Sequence, residues 1–371
     1  MRKGWEYKKL GDCTQILDSQ RKPVTKRDRK SGIYPYYGAT GIQDYVDKYI
    51  FDGRFVLVGE DGAKWSSFTQ SAFIINGKTW VNNHAHVLKT NDFLVDSFLV
   101  YFLNYSDLDS YISGAIIRKL TQASLRNIDI PLPPKSTQLA IVSELDNINE
   151  LIRLKKEQLK DFDNLAQSLF YEMFGDPVEN EKGWEVKKLG DISREIGDGL
   201  HGTPEYSEVD TGCYFINGNN LENGTIVIKE NTKMVSEKTK AKHYIEMDDF
   251  TILVSINGTL GKVAFYNGEN VILGKSACYI KLEAYNDKKY IFELLKSDYF
   301  KRYAESECTG TTIRNVSLKS MRNFRCPLPH LSLQHLFAQR IEQIEREKSE
   351  VQKSIQDLET LLASRMQYWF E

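Results

Sequence analysis

The densest group of chemically capable side chains in this sequence lies between positions 21 and 30. The run holds six basic residues and a single acid, Asp28. Clustered Lys and Arg side chains bind phosphates, and such contacts supply much of a protein's affinity for DNA. A solvated surface loop has the same composition, so both interpretations stay open. The basic residues are Arg21, Lys22, Lys26, Arg27, Arg29 and Lys30.

Further candidates in the first half of the chain stand beside aromatic residues and glycines. A turn at Asp61-Gly62 would let the backbone approach a phosphate closely, although turn geometry alone also explains the glycine. A Tyr-rich segment follows the basic run, and its Tyr37 could either contact a ligand or pack in the core. Two adjacent cations, Arg118 and Lys119, precede the first long helix. The candidate residues are Tyr37, Lys64, Trp65, Arg118 and Lys119.

The second half of the chain offers a different set of polar side chains. Asparagine suits the hydrogen-bonding edge of adenine, so an Asn-rich turn is a candidate for reading bases. Asparagine is also a default turn residue, so the turn has an equally simple structural explanation. Cations stand at a second glycine turn, 257–262, and before the second long helix. The candidates are His201, Thr203, Asn217, Asn219, Lys262 and Arg314.

Motifs for catalysis or metal binding are missing from the sequence. His84 and His86 alternate on a probable strand, but no third ligand is in view, so the pair predicts one packed and one polar histidine rather than a metal site. We find no Asn/Asp-Pro-Pro-Tyr/Phe run, the motif for methylation of amino groups, and no GxGxxG motif that would indicate binding of S-adenosylmethionine. The segment 258–262 is too short for a phosphate-binding loop. Glu60 and Asp61 form a single acidic pair, and their spacing to Lys64 does not indicate a nuclease active site. The sequence predicts no catalytic residue, no metal and no cofactor in this chain.

These candidates need rigid elements to position them, and the sequence predicts two long helices. The run 136–174 contains neither proline nor glycine and follows a Pro-Leu-Pro-Pro segment; its apolar residues recur at alternating steps of three and four. The same seam returns 196 positions later. A period of 3.5 residues is typical of a coiled coil, and two matched seams most simply pack on each other. Seam residues include Leu145, Ile148, Ile152, Leu159, Phe162 and Leu169, then Ile341, Ile344, Val351, Ile355, Leu358 and Leu362.

The globular parts of the chain repeat as well. The opening GWE-x-KKLGD at 4–12 returns at 183–191, and 55–58 is matched by 251–254. The first offset is 179 and the second 196, so the second copy carries a net insertion of about 17 residues. The repeat predicts domains at 1–134 and 177–330 and helices at 135–176 and 331–371. Short β-rich runs such as 85–88 and 277–282, with helices at 97–104 and 289–296, predict an α+β fold in each domain.

Composition narrows the class of protein. Of the 371 residues, 41% are hydrophobic and 27% charged, as in globular proteins. No apolar run is long enough for a membrane span and no basic-apolar leader opens the sequence. Five scattered cysteines make no CxxC pair, which predicts neither zinc nor disulfides and favours the cytoplasm. A net charge of −2 argues against indiscriminate coating of nucleic acid, while leaving a local basic face possible.

Taken in order, these motifs resemble the DNA-sequence-specificity subunits of type I restriction–modification systems. The resemblance rests on the repeated openings, the glycine turns, the Pro-Leu-Pro entries to the helices and the LFYEMFGD segment at 169–176. It implies two target-recognition domains, each reading half of a bipartite DNA site, and two helices paired as an antiparallel coiled coil that acts as a ruler. It also implies docked methyltransferase subunits that bind S-adenosylmethionine, and a restriction subunit. The alternative is a coiled-coil scaffold whose domains bind proteins or glycans; specific duplex binding would distinguish them.

Overall fold

The computed structural model describes residues 5–114, 116, 118–309 and 314–371; Gly4, the first residue of the repeated opening, lies outside them. The chain divides into two compact units. Unit 1 comprises Met1–Glu157 with Val351–Glu371, and unit 2 comprises Gln158–Glu350. Each unit therefore contains one mixed domain together with a segment of both long helices. Within the described ranges, no helix is long and apolar enough to cross a membrane.

Unit 1 is built on a six-stranded sheet with the order β2-β7-β5-β6-β3-β4, antiparallel except where β3 runs parallel to β6. Its strands are β1 (Glu6–Lys9), β2 (Thr14–Ile16), β3 (Ser31–Gly38), β4 (Gly41–Val46), β5 (Phe51–Gly59), β6 (Ala72–Val81), β7 (Ala85–Thr90), β8 (Ile112–Ser113), β9 (Lys119–Leu120) and β10 (Asp129–Leu132). Its helices are α1 (Leu10–Cys13), α2 (Asp96–Tyr105), α3 (Gln122–Arg126) and the first part of α4 (Lys135–Phe174). The β-branched and aliphatic run of β5 is fully buried, which fits a central strand covered on both faces.

Unit 2 has a four-stranded antiparallel sheet with the order β12-β19-β16-β17, and β13 pairs parallel with β18 beside it. Its strands are β11 (Glu185–Lys188), β12 (Ser193–Asp198), β13 (Tyr214–Ile216), β14 (Leu221–Glu222), β15 (Thr225–Ile226), β16 (Thr251–Ser255), β17 (Val263–Phe265), β18 (Val271–Leu273), β19 (Ala277–Leu282) and β20 (Arg325–Leu328). Its helices are α5 (Glu237–His243), α6 (Lys288–Lys296), α7 (Asp298–Ser306), α8 (Leu318–Asn323) and part of α9 (Leu331–Phe370).

The repeated sequence forms the same frame in both units. The opening strand pairs antiparallel with the strand that precedes the long helix, β1 with β10 and β11 with β20. Leu10 and Leu189 then donate their backbone N–H groups to carbonyls 2.8 Å away, those of Ile128 and Phe324. The glycine that follows each leucine packs against an arginine. A Cβ on Gly11 or Gly190 would lie 3.1–3.2 Å from the arginine side chain, which would have to shift slightly to admit it.

The long helices α4 and α9 contain 40 residues each, and none of the predicted seam residues is exposed. In unit 1, Glu144 near the start of α4 binds Arg365 near the end of α9. In unit 2, Phe174 at the end of α4 packs edge-to-face on Phe337 near the start of α9, with ring centroids 5.1 Å apart. Within each unit the two helix segments therefore run antiparallel, which confirms the predicted pairing.

Each helix is fixed to its own domain by a buried glutamine that the sequence analysis missed. Gln138 accepts a hydrogen bond from the backbone N–H of Val95 at 2.9 Å, and Gln334 accepts one from that of Asp287 at 3.0 Å. Both amides also donate to a proline carbonyl in the segment that enters the helix. The two glutamines are 196 positions apart, so the joint between domain and helix is repeated with the seam.

The pairing of the helices in unit 2 predicts a strong local dependence on one side chain. Phe337 is fully buried against aromatic rings, whereas its neighbour Leu336 is 42% exposed. We expect Phe337→Ala to lower the free energy of unfolding by about 3–5 kcal/mol, because it removes buried area and leaves a cavity. The matched control Leu336→Ala should change it by less than about 0.5 kcal/mol. Urea denaturation followed by circular dichroism measures both; equal effects would show that the aromatic contact is not stabilising.

Candidate nucleic-acid interface

One end of each central sheet carries most of the polar candidates. In unit 1, β2 and β5 end and β7 begins at the same side, because β7 is antiparallel to both. The basic run, the glycine turn at 61–62 and the loop at 82–84 therefore emerge side by side. We call this side, with the segments 17–30, 60–66 and 82–84, the loop end of unit 1.

The structure divides the basic run into anchored and exposed cations. The side chain of Arg21 is only 12% exposed and is paired with acids of unit 1. Arg29 is also largely buried: its guanidinium lies 4.2 Å over the ring of Tyr36 and pairs with Asp44 at 3.2 Å. These two residues hold the loop rather than face a ligand. The other four cations point to solvent: Lys22, Lys26, Arg27 and Lys30.

The glycine turn and the hairpin before α3 meet at the loop end. Asp61 pairs as an isolated bridge with Lys119, and the N–H of Leu120 donates to the carbonyl of Glu60 at 2.8 Å. A groove of about 450 Å³ opens between the two segments. Its lining includes Gly62, Ala63, Lys64, Ser66, Asp109, Ile116 and Arg118. Lys64 is exposed there, and Arg118 pairs with Asp109 at 2.7 Å.

The two aromatic candidates of unit 1 are placed less favourably for contact with a ligand. Trp65 is 4% exposed in the core, and its indole N–H donates to the carbonyl of Gly59 at 3.1 Å. Trp65 nevertheless belongs to the lining of the groove, so its contact with a ligand stays a prediction. Tyr37 is half-buried and packs on Phe73; burial raises the pKa of its hydroxyl.

An ionic cluster, which the sequence analysis missed, lies beneath the loop end. Glu60 binds Arg21 at 2.5 Å and Lys119 at 2.7 Å. His86 is fully buried, with Nδ1 2.6 Å from a carboxylate oxygen of Asp18 and Nε2 2.8 Å from the carbonyl of Leu120. The cluster consists of Asp18, Arg21, Glu60, His86 and Lys119. His84, in contrast, is exposed and pairs with Asp61 at 2.5 Å, so the two histidines do not converge on one site.

The two carboxyl groups of the ionic cluster remain charged despite their burial. Burial by itself would raise the pKa of Asp18, but hydrogen bonding and the charge of His86 outweigh it and lower that pKa. For Glu60, burial likewise acts to raise the pKa, while hydrogen bonds from Lys119 and Arg21 lower it overall. Donors aimed at a carboxylate favour its ionised form, which explains both directions.

In unit 2 the corresponding side of the sheet gathers the second set of candidates. Gly218 donates its N–H to the hydroxyl of Ser276 at 2.9 Å, and that hydroxyl donates to the side-chain oxygen of Asn217 at 3.0 Å. The buried Asn220 accepts from the N–H of Asn217 at 3.0 Å. These bonds hold a turn whose tip, Asn219, is exposed. Asn217 thus has a structural role, and Asn219 is the exposed asparagine of this turn.

Three further segments adjoin this turn. His201, 68% exposed, pairs with Asp198 at 2.7 Å at the end of β12, and Thr203 beside it is exposed. The backbone N–H of Gly258 donates to the carbonyl of Arg314 at 3.0 Å, which brings the second glycine turn against the residues before α8. Lys262 lies 3.7 Å from Glu222.

A lysine of the insertion, which the sequence analysis did not single out, also belongs to this group. Lys229 donates to the carbonyl of Asn219 at 3.0 Å and to Glu222 at 2.7 Å. No motif marks it, because its position depends on how the segment after β15 wraps around the turn. Thus the loop end of unit 2, with the segments 198–203, 217–222 and 256–262, combines the exposed amide of Asn219 and the exposed imidazole of His201 with partly buried ammonium groups.

Comparison with known proteins identifies the class to which this frame belongs. The family model for the type I restriction modification DNA specificity domain matches twice, over residues 2–161 and 181–360. The chain therefore belongs to the type I restriction–modification DNA specificity family. The two matches coincide with the sequence repeat, so each copy is one such domain.

Individual relatives agree with this assignment. The chain is 29% identical over 335 residues to a putative type I restriction enzyme specificity subunit of Haemophilus influenzae, covering 89% of this chain and 85% of the relative. It is 21% identical over 391 aligned residues to the MjaVIII specificity subunit of Methanocaldococcus jannaschii, covering 96% and 92%. The resemblance to a specificity subunit is thereby confirmed, and the scaffold alternative finds no support. The chain is a non-catalytic specificity subunit.

Solved structures support the fold. The crystal structure of the type I restriction–modification S subunit from M. genitalium aligns with a TM-score of 0.52 at 14% identity, covering 99% of this chain and 96% of that one. A chain from a study of complex assembly and conformational transition in a type I system aligns with a TM-score of 0.60 at 16% identity, covering 100% and 98%. Both alignments extend over nearly the whole of each chain, so the likeness is one of overall fold.

Proposed function

We propose that the chain recognises a bipartite DNA sequence, one half with each domain, within a type I restriction–modification complex. The observation that carries this proposal is the repeated loop end. In both units, segments that are distant in sequence converge at the same side of one shared frame, and exposed polar and basic side chains stand there. Direct reading of bases requires such side chains on a rigid support.

The two half-sites should differ, because the two loop ends carry different chemistry. Lys64 in the first glycine turn is replaced by Leu260 in the second, 196 positions later. Among the described residues, the exposed cations Lys22, Lys26, Arg27 and Lys30 are suited to phosphates. The exposed amide of Asn219 is suited to a base edge.

The paired helices serve, on this proposal, as the spacer and as the docking surface for methyltransferase subunits. Several leucines on α4 and α9 point away from the seam and remain exposed, and apolar surface on an otherwise charged helix pair indicates a protein partner. They are Leu139, Leu151, Leu154, Leu165, Leu336 and Leu361. We further propose that these partners bind S-adenosylmethionine, that a restriction subunit joins the complex, and that the complex acts in the cytoplasm, where the five free cysteines stay reduced.

The proposed function predicts partner-dependent methylation. The purified chain, combined with the methyltransferase subunits encoded with it and S-adenosylmethionine, should methylate adenine in one bipartite sequence. The chain alone should transfer no methyl group, and the methyltransferase subunits without it should show no preference for that sequence. Tritium incorporation into a plasmid library followed by methylation mapping measures all three. Methylation by the chain alone, or equal methylation at all adenines by the full complex, would contradict the proposal.

The exposed part of the basic run predicts a sequence-independent contribution to affinity. Replacing Lys22, Lys26, Arg27 and Lys30 by Gln should weaken binding of the complex to specific and unrelated duplexes alike. The slope of log K against log salt should become shallower by roughly 0.9 for each phosphate that the variant no longer neutralises. A matched control replaces four cations of unit 1 away from the loop end by Gln, namely Lys8, Lys9, Lys89 and Lys135, and should leave the slope unchanged. Equal slopes in both variants would remove the basic run from the interface.

A further inference from the structure

The ionic cluster beneath the loop end of unit 1 joins every segment that we propose to contact DNA there. Asp18 and Arg21 stand at the start of the basic run, Glu60 immediately before the glycine turn, and Lys119 in the hairpin beside Arg118. Arg21 also donates to the carbonyl of Ala85 at 2.8 Å, which ties the run to β7. Three separate segments therefore share one set of charges, of which all but Lys119 are largely buried.

The cluster is complete without a further ligand. Asp18, Glu60 and His86 offer three potential metal ligands within 4.8 Å of one another. However, Glu60 already accepts from two cations, and each ring nitrogen of His86 already has an oxygen partner within the chain. The geometry is that of a closed ionic network, not of a metal centre.

Unit 2 provides an internal comparison, because identical backbone bonds identify the equivalent positions. The N–H of Leu120 donates to the carbonyl of Glu60, and that of Val316 to the carbonyl of Ile256, both at 2.8 Å. Ile256 thus occupies the place of Glu60, and it is 3% exposed. His86 is opposite Val58 on the neighbouring strand, as Cys278 is opposite Val254.

The exchange of charged for apolar residues shows that the frame does not need the cluster. Ile256 and the fully buried Cys278 stand at the equivalent positions in unit 2, and Asp198, which is opposite Cys278 in the sheet, pairs with the exposed His201. Replacing a buried ion pair by apolar residues of similar volume is often neutral or stabilising, since desolvating charges is costly. Stability alone therefore gives no reason for the side chains of Asp18, Arg21, Glu60 and His86 to be largely buried in unit 1.

We infer that the ionic cluster is a positioning device for the first half-site. It fixes the basic run, the glycine turn and the hairpin relative to one another, so that their exposed side chains meet phosphates and bases in one register. Its buried members, Asp18, Arg21, Glu60 and His86, act through these segments and do not themselves touch DNA. The inference rests on the proposed function, and it explains why Arg21 belongs to the basic run although its side chain is buried.

The test exchanges the cluster for its counterpart in unit 2. The double variant Glu60→Ile/His86→Cys keeps the Asp18–Arg21 pair and supplies residues that the frame accommodates in unit 2. It is assayed in the full complex on the parent's target and on duplexes with single base changes in either half. The half read by the first domain is assigned by replacing residues 1–134 with the corresponding domain of a relative and noting which bases change.

We expect discrimination against wrong bases in the first half-site to fall roughly tenfold or more, the scale of a single base pair's contribution. Discrimination in the second half-site should remain as in the parent, and the Tm of each variant shows whether it is folded. The conservative variant Glu60→Gln keeps an acceptor for Arg21 and should reduce discrimination in the first half-site by a smaller factor. If the double variant does not fold, a Glu60→Gln variant that discriminates as the parent does would contradict the inference. Arg54→Ala, which removes the Arg54–Asp96 pair outside the cluster, is the control and should change nothing.

The outcomes separate this inference from the proposal beneath it. A parent complex that discriminates at neither half-site would contradict the proposed function, and the inference with it. A parent that discriminates, with a folded double variant that matches it at the first half-site, would contradict the inference alone. A rise in Tm with Zn²⁺ in the parent that the double variant lacks would also contradict it, because the cluster would then be a metal site.

Discussion

The antiparallel contact between the two apolar seams is the interaction on which both units depend. In unit 1, Leu145 of α4 lies in the domain core together with Met366 of α9. In unit 2, Phe170 of α4 and Phe337 of α9 lie in the corresponding core. Each domain core therefore contains side chains of both α4 and α9, although one of these helices belongs to the other copy of the sequence repeat. Neither domain has its full core until both long helices are in place.

This dependence constrains how the two domains can differ. The residues that enter the helices, the strand pairs that close each domain and the buried glutamines at each joint recur because they carry the helices. The loop ends do not support the long helices, so their side chains can change without disturbing the core. The ionic cluster of unit 1 and its apolar counterpart in unit 2 illustrate this freedom, since both fill one position of the frame.

The sequence predicts those secondary-structure elements whose signals lie within a short stretch of the chain. Helices α4 and α9 are predicted almost to the residue, because a 3.5-residue period and flanking prolines are visible along the chain. Strand β19 is predicted over its full length for a similar reason, as a short apolar run between turn residues. Strand β6 was missed, because polar residues and Gly77 interrupt its apolar pattern and its pairing with β5 is decided in three dimensions.

The candidate site shows the same limit more sharply. Composition identifies the basic run, but it cannot separate the exposed Lys22 from the buried Arg21, since their partners lie far away in sequence. Trp65 and Asn217 have residue types suited to a ligand, and both are engaged by the protein itself. The ionic cluster joins positions 18, 21, 60, 86 and 119, which no spacing rule connects. Contacts between distant segments therefore decide which candidates are free to bind.

The central claim is that the paired helices set the spacing of the two readers, and helix length tests it most directly. One heptad inserted after Leu159 keeps the seam in phase and lengthens α4 by about 10 Å. Parent and insert, each with their methyltransferase subunits, are used to select sites from a library with a variable gap. Since B-DNA repeats about every 34 Å per 10 bp, the preferred gap should grow by up to about 3 bp or binding should weaken. An unchanged gap at undiminished affinity would contradict the account.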